Sequence, residues 1–514
     1  MAITLSTNSR WIVDPSGNRF KLRCTNWAGH LHIMVPEGLE KQPLSHIAAN
    51  VASMGFNCVR LLWATFMYTR HEYSSLTVAQ SLDKFDLKDA KEGFAINNPK
   101  LLNLTGENVH LAVVNELGLN NVVVILDNHI SLPQWCCGET DGNGFFGDEN
   151  FDVTEWGMGL TMVARKYKGN PTVVGMSMRN ELRGSRQNEN DWYDYMQQGA
   201  NAIHYVNPDM LIIVSGLQYN SNLEFLKGRP FGANVDKKLV FEAHWYPFGE
   251  SQESWLNKTN EFCGSKIGLF FSKSGFLLDN GIPLFLSEFG TDQRGGDEMG
   301  NRYLNCLISV LAEKDLDWGW WALQGSYMLR EGVTNMEESY GMMDLNWTRP
   351  RNITVQRKLQ FLQQISQDPN SNKTKSNILY HPQSGQCVNL LDKDVIALGN
   401  CNSSISTRWD QDQDGSAIKL AGTDRCLSIV EEGEAVGISG DCGSPRAKWR
   451  KVSGSGLHLA GKREEGGGDL CLDGSSSMVF TNKCLCVGSD SLDLPFCDQD
   501  PQIQWFKLVP INVY

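Results

Sequence analysis

The chain has 514 residues, 41% of them apolar, with 59 acidic against 46 basic side chains and a net charge of −13. That length predicts two or three domains, and with no apolar run of about 18 residues a membrane span is not expected. The acidic balance argues against nucleic acid or an anionic membrane as partner, since both demand a basic surface, and fits a neutral substrate better; a monomer is expected.

In chain order, short apolar segments alternate with helical ones as far as about residue 365. Strands are predicted at Lys21–Thr25, Asn57–Leu62, Asn121–Leu126, Thr172–Met178, Met210–Val214, Leu239–Ala243, Ile282–Ser287 and Asp317–Ala322. Helical patterns fall between them, at Pro43–Met54, Asn108–Leu117, Val153–Tyr167, Asp191–Val206, Phe270–Asn280 and Asn301–Lys314. Eight strands each followed by a helix is the count of a (β/α)8 TIM barrel. A doubly wound sheet is the main rival, but no Gly-rich phosphate loop follows the first strand. Long insertions rich in Trp and Gly follow the third strand (Ile130–Glu155) and the last (Gly325–Arg349), at the barrel end where substrates bind. One stretch inside the first, DGNGFFGDEN at Asp141–Asn150, is rich in oxygen ligands; its spacing misses the EF-hand order and reads better as a turn-rich loop. No metal or cofactor is expected.

The division expected is a catalytic domain over residues 1–365, a polar linker over 366–377 and a smaller all-β domain over 378–514. The last part repeats weakly. Cys387 and Cys401 precede Trp409, Cys426 and Cys442 precede Trp449, and Cys471 and Cys484 precede Trp505. Three such units suit a threefold β-trefoil. The repeat predicts the disulfides Cys387–Cys401, Cys426–Cys442 and Cys471–Cys484, and an insertion in the third unit predicts Cys486–Cys497. Six cysteines are left open: Cys24, Cys58, Cys136, Cys137, Cys263 and Cys306. Adjacent Cys136 and Cys137 do not easily bridge each other, so either could pair with Cys263 or Cys306. Dense cysteines point to an oxidising compartment. Six N-glycosylation sequons, at Asn103, Asn257, Asn346, Asn352, Asn372 and Asn402, favour a secreted, extracellular protein. The start, MAITLSTNSR, has no apolar segment of a signal peptide and reads as a mature chain with an added or retained Met.

Catalytic side chains of such a barrel stand at the C-terminal strand ends. The second strand ends in CVRLLW with Arg60, and the third runs into LDNH, where Asp127 and His129 share a face. The fourth breaks into Arg179, Asn180 and Glu181. The sixth ends in FEAHWYPF, where His244 and Tyr246 share a face, and the seventh in FLSEFGT with Glu288. On the eighth, Trp321 has the opposite parity to Trp318 and Trp320, so only one set faces the site. A single Glu at a strand end is usually a surface residue; two on strands 4 and 7, which face each other across a closed barrel, suit acetal hydrolysis. One must hold a proton for the leaving oxygen while the other, ionised, attacks the anomeric carbon. Arg60 and Tyr246 are placed to keep Glu288 ionised, and the charge of Glu288 would keep Glu181 protonated.

RNEL at Arg179–Leu182, LSEFG at Leu286–Gly290, Arg60, His129, His244 with Tyr246, and Trp321 resemble the signature positions of glycoside hydrolase family 5, over roughly Ile12 to Gln364. The resemblance implies a retaining β-glycosidase with Glu181 as acid/base and Glu288 as nucleophile. Arg60, His129, Asn180, His244, Tyr246 and Trp321 would support or bind the substrate, Asn180 at the sugar 2-hydroxyl. The C-terminal region resembles ricin-B-type β-trefoils, and the combination is similar to plant cellulase-like proteins, some known from pollen. The trefoil departs from its family: Thr407, Ala447 and Ile503 stand where Gln is usual, and only the third repeat keeps a sugar-anchoring Asp, Asp473. The implied activity is hydrolysis of β-linked glucan in the cell wall or apoplast. A β-mannanase or exo-β-glycosidase is the nearest alternative, and a catalytically weak carbohydrate-binding protein the alternative of another class.

Overall fold

The structure is a computed structural model that describes residues 4–235, 237–401, 405–464, 466–487 and 499–513. Eight parallel strands close into a barrel: β1 (Arg23–Trp27), β2 (Cys58–Ala64), β3 (Val123–Ile130), β4 (Val173–Ser177), β5 (Leu211–Ser215), β6 (Leu239–His244), β7 (Leu284–Phe289) and β8 (Asp317–Trp320). Each pairs with its sequence neighbour, and β8 pairs with β1 to close the ring. All eight lie within a few residues of the segments predicted from the apolar pattern.

Alternation along the strands turns one set of side chains into the barrel, and the sequence grades that set from apolar to ionisable. Cys24, Cys58, Val123, Ile125, Val174, Leu211, Ile213, Val240 and Phe285 form one buried cluster at the start of the strands. Two residues further along, Ile125 gives way to Asp127, Cys58 to Arg60 and Val240 to Glu242, all fully buried. The apolar half anchors the ring, and the polar half lies at the C-terminal mouth. A Cys24–Cys58 disulfide joins β1 to β2 at directly paired positions.

The helices begin where their caps allow. α1 (Val153–Lys166) starts at Asp152, whose carboxylate accepts from Glu155 N at 2.7 Å, and ends on Arg165 and Lys166, which suit the negative end of the helix dipole. α2 (Glu189–Val206) is capped by Asn188. α3 (Thr259–Phe270) occupies ground the sequence left unassigned. The helix predicted over Phe270–Asn280 is present as the continuation of α3, widened to a π-helical stretch at Phe271–Gly275 and followed by a short α-helical segment, Phe276–Asp279. There Gly275 packs so closely on Phe271 that an added Cβ would lie 2.5 Å from its ring. α4 (Glu298–Lys314) is capped by Asp297 and stops at Asp315, which is left-handed.

The chain divides into two compact units that interleave in sequence, whereas the expected division was a single cut around 366–377. The first holds residues 1–246, 270–295 and 316–352; the second holds 247–269, 296–315 and 353–514. In the second, short antiparallel strands from Ser376–His381 to Lys507–Ile511 form an all-β region around a core that includes Leu379, Val388, Trp409, Leu427, Trp449, Leu472 and Phe506. The three repeat disulfides Cys387–Cys401, Cys426–Cys442 and Cys471–Cys484 are present. Cys497, and with it the expected Cys486–Cys497 bridge, lies outside the described residues. Trp409 and Trp449 donate their indole N–H to Val388 O (2.9 Å) and Leu427 O (3.0 Å), the residue after the first Cys of each repeat. Trp505 breaks the pattern: its N–H goes to Asn260 Oδ1 on α3 at 2.9 Å. The same unit holds Cys263–Cys306, from α3 to α4.

Candidate active site

Arg60 organises the mouth of the barrel. It is fully buried, so its cost of desolvation has to be met by charged partners. Nη1 donates to Glu288 Oε1 at 2.7 Å and Asn26 Oδ1 at 3.0 Å; Nη2 donates to Asp127 Oδ1 at 2.7 Å and Asn180 Oδ1 at 3.0 Å. Glu242 lies 3.5 Å from Nη2. The carboxylates outweigh the burial and raise the guanidinium pKa, so the cation is permanent.

On this base stand the two glutamates. Tyr246 OH donates to Glu288 Oε2 at 3.1 Å, and His244 Nδ1 lies 2.8 Å from Glu181 Oε1 and 3.7 Å from Glu288 Oε2. One oxygen of Glu181, one of Glu288 and a ring nitrogen of His244 all fall within 4.8 Å of one another. The Glu181 side chain is 15% exposed and that of Glu288 5%, so Glu181 is the one more open to solvent. Glu181 has φ +32°, a conformation that costs a non-glycine residue about 1–3 kcal/mol. Its neighbours hold it there: Asn180 N donates to Asn128 O at 2.9 Å and Arg183 Nη1 donates to Glu181 O at 2.8 Å.

Both carboxyls are pushed up to about 7, first by burial. For Glu181, Arg183 and Arg60 oppose the rise while Asp127 and Glu242 add to it. For Glu288, His244 and Arg60 oppose it and Glu181 adds to it. The sequence led us to expect a low Glu288 and a Glu181 raised by Glu288. Instead desolvation lifts both, and the pair titrates together around one proton. Where that proton rests is decided by hydrogen-bond partners: Glu288 accepts from a guanidinium and a phenol, which favour its charge, whereas the Glu181 carboxyl meets the His244 imidazole. Burial lowers the pKa of His244, against the opposing charges of Glu288, Glu242 and Asp127.

His129 Nδ1 meets Asp127 Oδ2 at 2.7 Å, and its ring stacks on Trp321 with centroids 5.8 Å apart and planes 15° from parallel. Burial drives the His129 pKa far below its usual value. Trp318 and Trp320 are fully buried and Trp321 is not, which settles the parity left open by the sequence. The expected site residues Arg60, His129, Asn180, Glu181, His244, Tyr246, Glu288 and Trp321 thus come together in one cluster.

Several members were missed. Glu242 shares the parity of His244 and Tyr246, and that spacing was the available signal; Ser177 Oγ donates to it. Asn26 had no signal beyond its place at the end of the first strand. Arg179 donates to Asn128, Ser131 and the carbonyl of Asn143, and lies over the Phe151 ring at 3.7 Å. The pairing of Cys136 and Cys137 corrects the expectation. The two bridge each other across a cis peptide with Cα atoms 3.0 Å apart, and Cys263 takes Cys306 instead. Their sulfurs lie 3.8 and 3.6 Å from Asn180 Nδ2. In the Asp141–Asn150 loop, Asp141 accepts from Asn143 N, Gly138 N and Arg183, and Asp148 from Phe145 N, so the carboxylates serve turns.

In the second unit, Asp473 is buried, with Oδ1 accepting from Ser475 N at 3.0 Å and Oδ2 from Gln504 Nε2 at 3.1 Å. Of the sequon residues, Asn103, Asn346 and Asn372 are exposed, Asn257 and Asn352 are half-buried, and Asn402 lies outside the described residues.

A closed parallel barrel with two interacting carboxyl groups at its C-terminal mouth, one of them held by a guanidinium, is an arrangement suited to acid/base hydrolysis of a glycosidic bond. Residues 13–326 match the family model described as cellulase, glycosyl hydrolase family 5. A glycosyl hydrolase 5 family protein of Chamaecyparis obtusa is 40% identical over 99% of this chain and 94% of its own length. The chain belongs to glycosyl hydrolase family 5. An endoglucanase of Paenibacillus polymyxa is 23% identical, over 66% of this chain and 83% of its own. Among solved structures, a cellotetraose complex of the endocellulase from Pyrococcus horikoshii aligns with a TM-score of 0.56 and 18% identity, over 71% of this chain and 99% of that one, which shows the shared fold.

Proposed function

We propose that this chain is a retaining β-glucanase acting on cellulose-like β-linked glucan, with Glu181 as acid/base and Glu288 as nucleophile. The observation that carries the reading is the approach of the two carboxyl groups to within 4.8 Å at their nearest described oxygens. Retaining enzymes place their carboxyls about 5–5.5 Å apart, and inverting ones need roughly 6.5–9.5 Å to admit a water.

In the first step Glu181 gives its proton to the glycosidic oxygen while a Glu288 oxygen attacks the anomeric carbon. The carbon–oxygen bond breaks, the leaving sugar departs as an alcohol, and a glycosyl ester forms on Glu288. Glu181, now a carboxylate, takes a proton from water; the hydroxyl attacks the same carbon and frees Glu288. Arg60 and Tyr246 stabilise Glu288 as an anion before and after, and the role assigned to Asn180 is a hydrogen bond to the sugar 2-hydroxyl. The endoglucanase relatives and the cellotetraose-bound neighbour support a glucan substrate and endo action.

The Chamaecyparis obtusa relative supports plant origin, and disulfides in both compact units fit secretion to the apoplast. The threefold recurrence of disulfide and Trp supports a ricin-B-like trefoil. Its Asp473 is committed to internal donors, which favours a structural role over sugar binding.

The test is product analysis on glucans, mannans and aryl β-glycosides with wild type, Glu181→Gln and Glu288→Gln. A mannan preference would move the substrate to β-mannanase, and glycan binding without hydrolysis would favour a binding protein. A mechanism-based fluorosugar should leave a covalent adduct on Glu288; full activity in Glu288→Gln would end the mechanism.

A further inference from the structure

Cys136 and Cys137 are bridged as neighbours in the chain, whereas Cys24–Cys58 and Cys263–Cys306 span 34 and 43 positions. A cross-link stabilises a fold mainly by closing a loop of the unfolded chain, and the gain grows with the loop. A bridge between adjacent residues closes almost none, so stability does not account for this pair. Its position does. The two sulfurs lie 3.8 and 3.6 Å from Nδ2 of Asn180, the residue before Glu181, and Cys137 is only half-buried.

The surrounding bonds fix which way the Asn180 amide faces. Its Oδ1 accepts from Arg60 Nη2 at 3.0 Å, so Nδ2 is the end turned to the sulfurs. His129 Nδ1 meets Asp127 Oδ2 at 2.7 Å and carries the ring proton there, which leaves Nε2 as an acceptor 3.4 Å from Asn180 Nδ2. One amide hydrogen is thus directed to His129 and the other to the disulfide. The loop that carries the pair is held too. Arg183, which donates to Glu181 O at 2.8 Å, also donates to Gly138 O at 2.8 Å, and Gly138 N donates to Asp141 Oδ2 at 3.1 Å. Sulfur is a weak acceptor, so it directs an N–H without holding it strongly. A hydroxyl or an ordered water in its place would bind the amide hydrogen at full strength, and a sugar hydroxyl would have to displace it.

We propose that the Cys136–Cys137 disulfide is a positioning element for Asn180, aiming its amide hydrogen while leaving that hydrogen available to the sugar 2-hydroxyl. The assignment rests on the glucanase reading and on the 2-hydroxyl contact given there to Asn180. The test uses the full chain and two substrates, 4-nitrophenyl β-cellobioside and its analogue that lacks the 2-hydroxyl on the sugar bearing the phenol. Cys136→Ala/Cys137→Ala leaves the amide hydrogen undirected, and Cys136→Ser/Cys137→Ser gives it competing hydroxyls.

With wild type active on both, each double variant should lower kcat/KM on the parent glycoside by about tenfold and leave that on the analogue within about twofold. Asn180→Ala should show the same selectivity. So should wild type whose pair is opened by a phosphine, a step in which water gives its oxygen to phosphorus and a proton to each sulfur; reoxidation should reverse it. That arm decides the matter if neither double variant folds. Equal losses on both substrates, or no loss on the parent, would overturn the assignment and leave the glucanase reading intact. A wild type inert on both would remove the glucanase reading and the assignment with it.

Discussion

Tyr246→Phe removes one of the two groups that keep Glu288 ionised. The phenol donates to Oε2 at 3.1 Å, while Arg60 keeps its 2.7 Å bond to Oε1. A hydrogen bond to a charged group contributes about 1.5–3 kcal/mol, and one this long for an O–H donor belongs at the lower end, about 1.5 kcal/mol. That is roughly one pKa unit. The phenol favours the charged form, so its loss raises the Glu288 pKa, already at about 7, and the nucleophile stays protonated to higher pH. The acid limb of kcat/KM should therefore move up by about one pH unit. β-Cellobiosyl fluoride is the substrate of choice, because its leaving group needs little help from Glu181 and the limb then reports Glu288. A limb that stays in place, or moves down, would refute the claim that Tyr246 acts by holding the anion.

Three further outcomes follow from the same physics. Glu181 has a pKa of about 7 when folded against 4.5 for an unperturbed carboxyl; its stability contribution is full below about pH 4.5 and lost as pH rises through 7. Glu181→Gln should thus match wild type in Tm at acid pH and exceed it at alkaline pH, by up to about 3 kcal/mol in stability; a Tm difference independent of pH would contradict this. Glu242→Gln removes a buried carboxylate that shares Arg60 with Glu288 and raises Glu181. Both limbs of the pH–rate profile should move to lower pH, whereas a lost packing contact would lower the rate without moving them. In the second unit, Asn260→Ala strips partners from Trp505 Nε1, Ser455 Oγ and Cys486 O. It should cost about 2–4 kcal/mol in thermal or denaturant unfolding, with specific activity unchanged in the folded fraction.

Much of the barrel was legible because a strand that must be buried on both faces has to be apolar, and eight such segments stand out against the helices between them. The site residues were legible for a related reason: a carboxylate or guanidinium within or just beyond an apolar run has no place in an ordinary core, and Arg60, Glu181 and Glu288 are each so placed. The helix at Thr259–Phe270 escaped notice because its sequence has little amphipathic period and two glycines. The widened turn at Phe271–Gly275 is set by local packing of Gly275 on Phe271, which has no signature in the pattern.

By itself, then, the sequence determined the alternation that closes the barrel, the two opposed glutamates and the three repeat disulfides, because each depends on residue type and spacing along the chain. Only the tertiary structure decided which of three tryptophans faces the cleft, that Cys136 pairs with Cys137, and that Glu242 and Asn26 gather on Arg60. It also decided that Glu181 and Glu288 are both raised to about 7. Those outcomes depend on distances across the barrel and on the exclusion of water from its mouth, which exist only once eight strands far apart in the chain have closed on one another.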